Sequence, residues 1–303
     1  MLTYDNINKN KRESWILIFS FLIIISLLGW VFSMRFGDSR ILYFAVGFSI
    51  LSSFISYYFS DSITLAISGA KEVNRQNAQE LYRLVENLCI AAGLPTPKIY
   101  IIEDTAPNAF ATGRDPEHAV VCFTTGILAK LEKPELEGVV AHELSHIGNY
   151  DIRVMTLVTV LVGTITLLAD WLMRANLFGG KKSDDRENGQ LKMFLMIAGI
   201  ILAILSPIIA TLIKLAVSRK REYLADASGA LLTRYPEGLA RALEKISGDR
   251  EPLEAANKAT AHMYIVSPLK AQGEKNSSSF MANMFNTHPP IEERVKRLRE
   301  MNL

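Results

Sequence analysis

The chain has little cysteine and almost no net charge. Its 303 residues include two cysteines, Cys89 and Cys122, and its basic and acidic residues nearly balance, for a formal charge of +2. Two cysteines do not make the disulfide framework of a small secreted protein. Cys89 lies on the apolar face of a predicted helix and Cys122 in a predicted strand. We interpret both as reduced core thiols, with metal ligation by either as the less favoured alternative. The balanced charge gives no indication of nucleic-acid binding.

Charge is also missing from four long segments of the chain. Hydrophobic residues make up 49% of the sequence and charged residues 21%, so the two classes are segregated along it. A helix needs about 20 apolar residues to cross a bilayer. Four runs of roughly this length are almost free of charge, at residues 15–34, 41–59, 154–173 and 193–217. We therefore predict an integral membrane protein with four transmembrane helices, the last kinked but not interrupted by Pro207.

The first apolar run, residues 15–34, could instead be a secretory signal, because basic residues precede it. The run is longer than a usual signal core and no small-residue cleavage site follows it, which favours an uncleaved anchor. Four spans place both termini and the middle region on one side of the membrane, and more Lys and Arg flank that side. The positive-inside rule predicts that this side is cytoplasmic.

The spans also predict the domain organisation. We expect an N-terminal segment, a first transmembrane hairpin, the first half of a soluble domain, a second hairpin and the second half of the soluble domain. Their predicted boundaries are residues 1–14, 15–59, 60–153, 154–217 and 218–303.

The strongest chemical signal is the sequence HELSH at residues 142–146, which follows an apolar run. Histidines four residues apart lie one above the other on the same face of a helix. This spacing lets His142 and His146 reach a single Zn²⁺, and Glu143 can act on a water that the metal activates. The alternative, a solvated helix that carries two histidines, leaves a carboxylate in an apolar face unexplained. We therefore predict a metal site with Glu143 as the catalytic general base.

A second acidic motif, E-x-x-x-D at residues 222–226, supplies the remaining groups. A hydrolytic zinc usually keeps three protein ligands and one open position, so Glu222 is predicted to be the third ligand. Asp226 lies one helical turn later and can fix the tautomer of a ligand histidine by accepting its hydrogen bond. Taken alone, the segment would be an ordinary surface helix of mixed charge. Two predicted spans separate it from His146, so the second hairpin is expected to bring Glu222 back to the histidines near the membrane surface.

The remaining segments predict the helices and strands of the soluble domain. Apolar residues at helical spacing indicate a helix within residues 74–92, and residues 98–102 and 119–123 have the composition of strands. His118 and His262 match no motif and are expected to be exposed to solvent. Further helices are predicted over residues 135–150, 236–246 and 289–301.

Several of these segments together resemble one family. The runs HELSHIGNYD (142–151) and SRKREYLAD (218–226), with the intervening Met155, resemble the HtpX family of membrane-bound zinc metalloproteases. The runs NAFATG (108–113) and THPP (287–290) are similar to further motifs of that family. The resemblance covers nearly the whole chain in order and is weakest over 261–286. It implies an α+β membrane protein in which four transmembrane helices join a mainly helical, zincin-like protease domain with a small antiparallel sheet.

The resemblance also implies roles for individual residues. One zinc ion per chain would be bound by His142, His146 and Glu222. His288 would stabilise the oxyanion of a tetrahedral intermediate, with Arg294 as its companion in substrate binding. An edge strand would bind an extended substrate through its backbone, since an unpaired edge offers donors and acceptors to any peptide. An ordinary loop of small residues is the alternative for that segment, which comprises Asn108, Ala109, Phe110 and Ala111.

The family implies an endopeptidase of the bacterial inner membrane that cleaves misfolded or damaged membrane proteins in quality control and the stress response. Two alternatives remain open. The related CAAX prenyl endopeptidases share H-E-x-x-H and the later Glu, but carry more spans than the four predicted here. A non-enzymatic membrane scaffold stabilised by zinc is disfavoured, because Glu143, the general base, is present.

Overall fold

A computed structural model describes residues 3–161, 163–164, 218–256, 260–266 and 289–301. The chain opens with two long helices, α1 (Thr3–Phe36) and α2 (Arg40–Ile67), which pack against each other as a hairpin. Of the described residues, these helices are the two segments long and apolar enough to cross a membrane. Large apolar side chains such as Trp30 and Phe44 are exposed along them. A soluble surface rarely carries so much exposed apolar area, so the two helices are candidate membrane spans.

The first two predicted spans therefore correspond to α1 and α2. The third is described only at its start, where helix α6 covers residues 151–161. Unlike α1 and α2, α6 is buried throughout, and Leu161 packs against Phe21 and Ile25 of α1. The rest of the third span and the whole of the fourth lie outside the described residues.

A four-stranded sheet forms one layer of the soluble part. Its strands are β1 (Lys71–Glu72), β2 (Lys98–Ile102), β3 (Ala109–Gly113) and β4 (Ala119–Thr124), in the order β1-β2-β4-β3. The predicted strands at 98–102 and 119–123 are confirmed, but the prediction of an antiparallel sheet is wrong. β3 and β4 form an antiparallel hairpin, and β4, not β3, lies next to β2. The second strand of that hairpin runs in the direction of β2, so the β2–β4 pair is parallel and the sheet is mixed.

Helix α3 (Gln79–Ala92) contributes the stripe of Leu81, Leu84, Val85 and Cys89 to a hydrophobic core that the sheet shares. It ends at Gly93, whose φ of 66° is a left-handed conformation that glycine adopts without steric cost. The predicted helix within 74–92 is thus confirmed, with a later start. The short helix α4 (Thr125–Lys130) follows β4 and is capped by the Thr124 hydroxyl.

Helix α5 (Lys133–Gly148) is the centre of the soluble part and carries the HELSH sequence. Glu132 and Glu135 form a capping box at its start, and Pro134 occupies the first turn, where its missing N–H costs no hydrogen bond. Nearly all of its second half is buried. The predicted helix over 135–150 is therefore present, shifted by two residues at each end.

Three further helices pack on and around α5: α7 (Arg219–Thr233), α8 (Pro236–Gly248) and α9 (Ile291–Arg299). Glycines allow the close approach of the first two. A Cβ at Gly138 would lie 2.7 Å from Leu239 N of α8, and one at Gly229 of α7 would lie 2.9 Å from His142 N. The backbone of α7 therefore rests directly on the backbone of the histidine helix.

Candidate active site

Helix α5 places three polar side chains side by side in the protein interior. His142, Glu143 and His146 are 1%, 2% and 4% exposed. The four-residue spacing brings the two imidazoles edge to face, with ring centroids 4.7 Å apart and the planes at 90°, and their Nε2 atoms are 3.2 Å from each other. Two ring nitrogens that face each other at this distance can share a cation.

Helix α7 adds Glu222, which is also buried, at 2% exposure. Its Oε1 lies 3.6 Å from His146 Nε2 and its Oε2 lies 3.9 Å from His142 Nε2. One ligand atom from each of the three residues lies within 4.8 Å of the other two. Zinc bonds of about 2.1 Å in tetrahedral geometry separate ligand atoms by about 3.4 Å, so this donor set fits one such ion.

Both histidines have a carboxylate behind the ring, on the side away from Glu222. Asp226 Oδ1 lies 3.0 Å from His142 Nδ1, and Asp151 Oδ2 lies 3.0 Å from His146 Nδ1. The His146–Asp151 contact is a hydrogen bond, and a carboxylate so placed holds the proton at Nδ1 and leaves Nε2 free to bind a metal. Asp226 lies in the corresponding position beside His142. The matching position of Asp151 was missed, and its only signal in the sequence is an acidic residue shortly after the second histidine.

Arg294 of α9 lies at the same centre and is fully buried. Its guanidinium donates to both oxygens of Asp226, at 2.8 and 2.7 Å, and to the Ile265 carbonyl at 3.0 Å. Its Nη1 lies 3.6 Å from Glu222 Oε2. These contacts make Arg294 a support of the histidine and glutamate side chains, whereas the resemblance implied a companion in substrate binding. His288, six residues earlier, lies outside the described residues.

The site is strongly negative, and its pKa values reflect this together with burial. Burial raises the pKa of Glu143 to about 7. Burial disfavours the charged form of His146, but Asp151 and Glu222 outweigh it and raise the pKa to about 9. Burial lowers the pKa of His142, which favours the neutral ring. Burial opposes the Asp226 carboxylate, but Arg294 holds the pKa of Asp226 below its usual value. The surroundings of His146 Nε2 therefore attract a positive charge.

Strand β3 borders this centre as the outer strand of the sheet. In its antiparallel pairing with β4, the backbone groups of Ala109 and Ala111 point away from β4. The Ala111 N–H faces the Glu143 carboxylate, and the Ala109 carbonyl accepts a hydrogen bond from Ile265 N at 3.0 Å. The edge strand therefore runs directly past the Glu143 side chain.

The other two predicted substrate-binding residues have their side chains in the interior. The Asn108 side chain donates to the Val266 carbonyl at 2.9 Å, and the Phe110 ring packs against Tyr264. Their backbone groups face β4, where the Asn108 carbonyl accepts from Thr124 N at 3.0 Å, so the outer edge of the strand is formed by Ala109 and Ala111. His118 is exposed as predicted, but the prediction of an exposed His262 is wrong. It is 4% exposed because residues 260–266 pack against α6, where its Nε2 lies 3.2 Å from Thr159 Oγ1.

The sequence comparisons show one family. Residues 75–302 match Peptidase family M48. A protein named Protease HtpX homolog from Dictyoglomus thermophilum is 47% identical over 98% of this chain and 94% of its own length. A protein of the same name from Tropheryma whipplei is 42% identical over 99% of both chains. The crystal structure of S. mikatae Ste24p covers 97% of this chain and 67% of its own, at 19% identity and a TM-score of 0.49.

Proposed function

The chain belongs to Peptidase family M48 as an HtpX-type metalloprotease, and we propose that its metal is one zinc ion held by His142, His146 and Glu222. The observation that carries this proposal is the buried cluster of two imidazole nitrogens and one carboxylate, at separations that suit a tetrahedral ion. Two nitrogens with one oxygen are a donor set typical of catalytic zinc. The ion would supply Lewis-acid activation of a water molecule and of the scissile carbonyl.

Glu143 is the general base in this proposal. It follows the first ligand on α5, it is buried, and its pKa of about 7 suits a group that takes up and releases a proton near neutral pH. Glu143 would accept the proton of the attacking water and deliver it to the leaving amine. The Ala111 N–H faces its carboxylate at the strand edge, so the base and the peptide site are built from neighbouring backbone and side-chain groups.

The peptide substrate would bind along the outer edge of β3. The outward backbone groups of Ala109 and Ala111 provide an acceptor and a donor that do not depend on substrate side chains. This supports broad specificity for extended, unfolded segments. Ile265 N occupies the Ala109 carbonyl in this structure, so a substrate that uses this acceptor replaces that hydrogen bond.

His288 would be an additional donor to the developing oxyanion. This role is supported by the next element in the chain, α9, because Arg294 in its first turn lies beside Glu222. A histidine can donate a hydrogen bond to such an oxyanion.

Membrane proteins with damaged or unfolded cytoplasmic segments are the proposed substrates, at the bacterial inner membrane. The support is that α6 begins at Asp151, beside His146, and packs against membrane helix α1. The metal centre is thus tied to the hairpin that we place in lipid. Four spans and a cytoplasmic site, with the Lys and Arg residues that flank it, complete the proposal.

Cleavage of casein, an unfolded test protein, tests this function. Detergent-purified, zinc-loaded protein should cut casein, and Glu143→Gln should bind zinc equally well but lower kcat by about 10²–10⁴-fold, the usual contribution of a general base. Equal turnover by the zinc-loaded variant would refute the role of Glu143. If neither protein cuts casein while both bind zinc, broad specificity is wrong, and a prenylated peptide becomes the next substrate to assay.

A further inference from the structure

The N-terminal end of membrane helix α1 reaches the metal centre. Asn10 is 3% exposed, and its Nδ2 donates to Asp151 Oδ1 at 2.6 Å and to the Asn149 carbonyl at 2.8 Å. Asp151 is the carboxylate that contacts His146 Nδ1 through its other oxygen, at 3.0 Å. Both oxygens of one buried carboxylate are thus fixed, one by α1 and one by the histidine.

A second contact joins the same end of α1 to the segment that carries Glu222. Glu13 Oε2 lies 2.9 Å from Arg221 Nη2, and Arg221 Nε lies 3.8 Å from Asp151 Oδ1. Arg221 directly precedes Glu222 in the chain. Residues 10 and 13 lie one turn apart on α1. Through them, α1 contacts the segment that follows His146 and the segment that precedes Glu222.

The turn between α5 and α6 has an unfavourable backbone conformation, which the contacts of α1 help to hold. Tyr150 adopts a φ of 61°, which is unfavourable for an aromatic residue. The Asn10 side chain donates to the carbonyl of Asn149, the residue before Tyr150, and Lys11 Nζ lies 4.4 Å from the centroid of the Tyr150 ring. The neighbouring α1 residues thus hold the turn that places Asp151 behind His146.

We propose that Asn10 is a positioning residue of the metal centre, which fixes the Asp151 carboxylate so that Asp151 orients His146 for metal binding. The proposal rests on the proposed function, because it takes His146 as a ligand. It makes the metal affinity of the protease dependent on a side chain of its N-terminal membrane helix. Groups behind a ligand histidine typically change metal affinity by about 10–100-fold when they are removed.

Zinc affinity of the full-length protein tests the proposal, measured by competition with a chromophoric chelator in detergent. Asn10→Ala should weaken zinc binding by about tenfold, the lower end for such groups. Asn10→Asp keeps the side-chain shape but removes both donated hydrogens, so it should weaken binding at least as much. Ser14→Ala is the matched control: Ser14 is buried one turn later, and its hydroxyl donates to the Asn10 carbonyl of the same helix. It should leave zinc affinity unchanged.

A double-mutant cycle separates positioning from simple stabilisation. If Asn10 acts through Asp151, Asn10→Ala should weaken zinc binding in the wild-type background and have no further effect in Asp151→Ala. Wild-type affinity in both Asn10 variants, or an equal loss in both backgrounds, would overturn the proposal. Failure of the metal site itself gives a different result, since the wild type would then not bind zinc or Glu222→Ala would bind it as tightly.

Discussion

At the scale of single residues, the metal centre contains more buried negative charge than the protein itself compensates. Glu143, Glu222 and Asp226 all raise the pKa of Arg294, the buried cation beside them. In the absence of a metal, part of this negative charge is offset by a proton on His146, whose pKa Asp151 and Glu222 raise to about 9 against the effect of burial. Uncompensated buried charge is costly, and a divalent ion bound at His146 Nε2 would replace that proton and bring one more positive charge. The charge of the surrounding residues therefore supports the same conclusion as the ligand geometry.

The first residue-scale prediction concerns Glu222. Glu222→Ala removes one of three protein ligands and should reduce zinc to far below one ion per chain after gel filtration, as measured by metal analysis. Glu137→Ala, on α5 but outside the ligand cluster, should retain the zinc of the wild type. Full zinc occupancy in Glu222→Ala would show that another group is the third ligand.

At the scale of secondary-structure elements, the site depends on how closely α7 approaches α5. The two helices meet at Gly229, where a Cβ would lie 2.9 Å from His142 N and 3.2 Å from the Ala141 carbonyl carbon. The atoms in the way belong to the backbone and cannot rotate aside. Glu222 and Asp226 lie two and one turns before Gly229, so the same contact places both carboxylates next to the histidine rings.

Gly229→Ala should therefore push the two helices apart. Overpacking of this kind typically costs about 1–3 kcal/mol, of which better helix propensity returns about 1 kcal/mol. We expect a lower Tm together with weaker zinc binding, measured by thermal unfolding and chelator competition. Gly248→Ala is the control, because nothing lies within 4 Å of its Cβ position. A Gly229→Ala protein with wild-type Tm and zinc affinity would contradict this account of the interface.

At the scale of the whole molecule, the metal centre joins parts that are distant in the sequence. α5 and α6 contribute His142, His146 and Asp151, α7 contributes Glu222, and α9 contributes Arg294. The carboxylates that these parts bring together repel one another unless cations lie between them, and Arg294 is one such cation. Zinc should thus stabilise the assembled soluble domain as well as support catalysis.

Metal removal tests this whole-molecule role. A ligand present at 100 times its Kd stabilises the folded state by about 2.7 kcal/mol, so EDTA should lower the Tm of the wild type and added zinc should restore it. In Glu222→Ala, EDTA should leave the Tm unchanged, because little zinc is bound. An unchanged Tm in the metal-free wild type would show that the folded protein does not bind the ion in preference to the unfolded chain.

The sequence alone determined the features that depend on neighbouring residues. The spacing of His142 and His146 on one helix, the apolar runs of α1 and α2, the stripe of α3 and the strands β2 and β4 all follow from helical or strand periodicity. The segment around Glu222 was also identified, because it contains two carboxylates one helical turn apart.

Only the tertiary structure decided the rest. The parallel β2–β4 pair, the burial of His262, the ion pair of Arg294 with Asp226 and the contact of Asn10 with Asp151 join residues far apart in the chain. For the last two contacts the separations are 68 and 141 positions. No local periodicity encodes such contacts. They arise because buried charges and hydrogen-bonding groups must find partners once the helices have packed, and the packing determines which partners lie within reach.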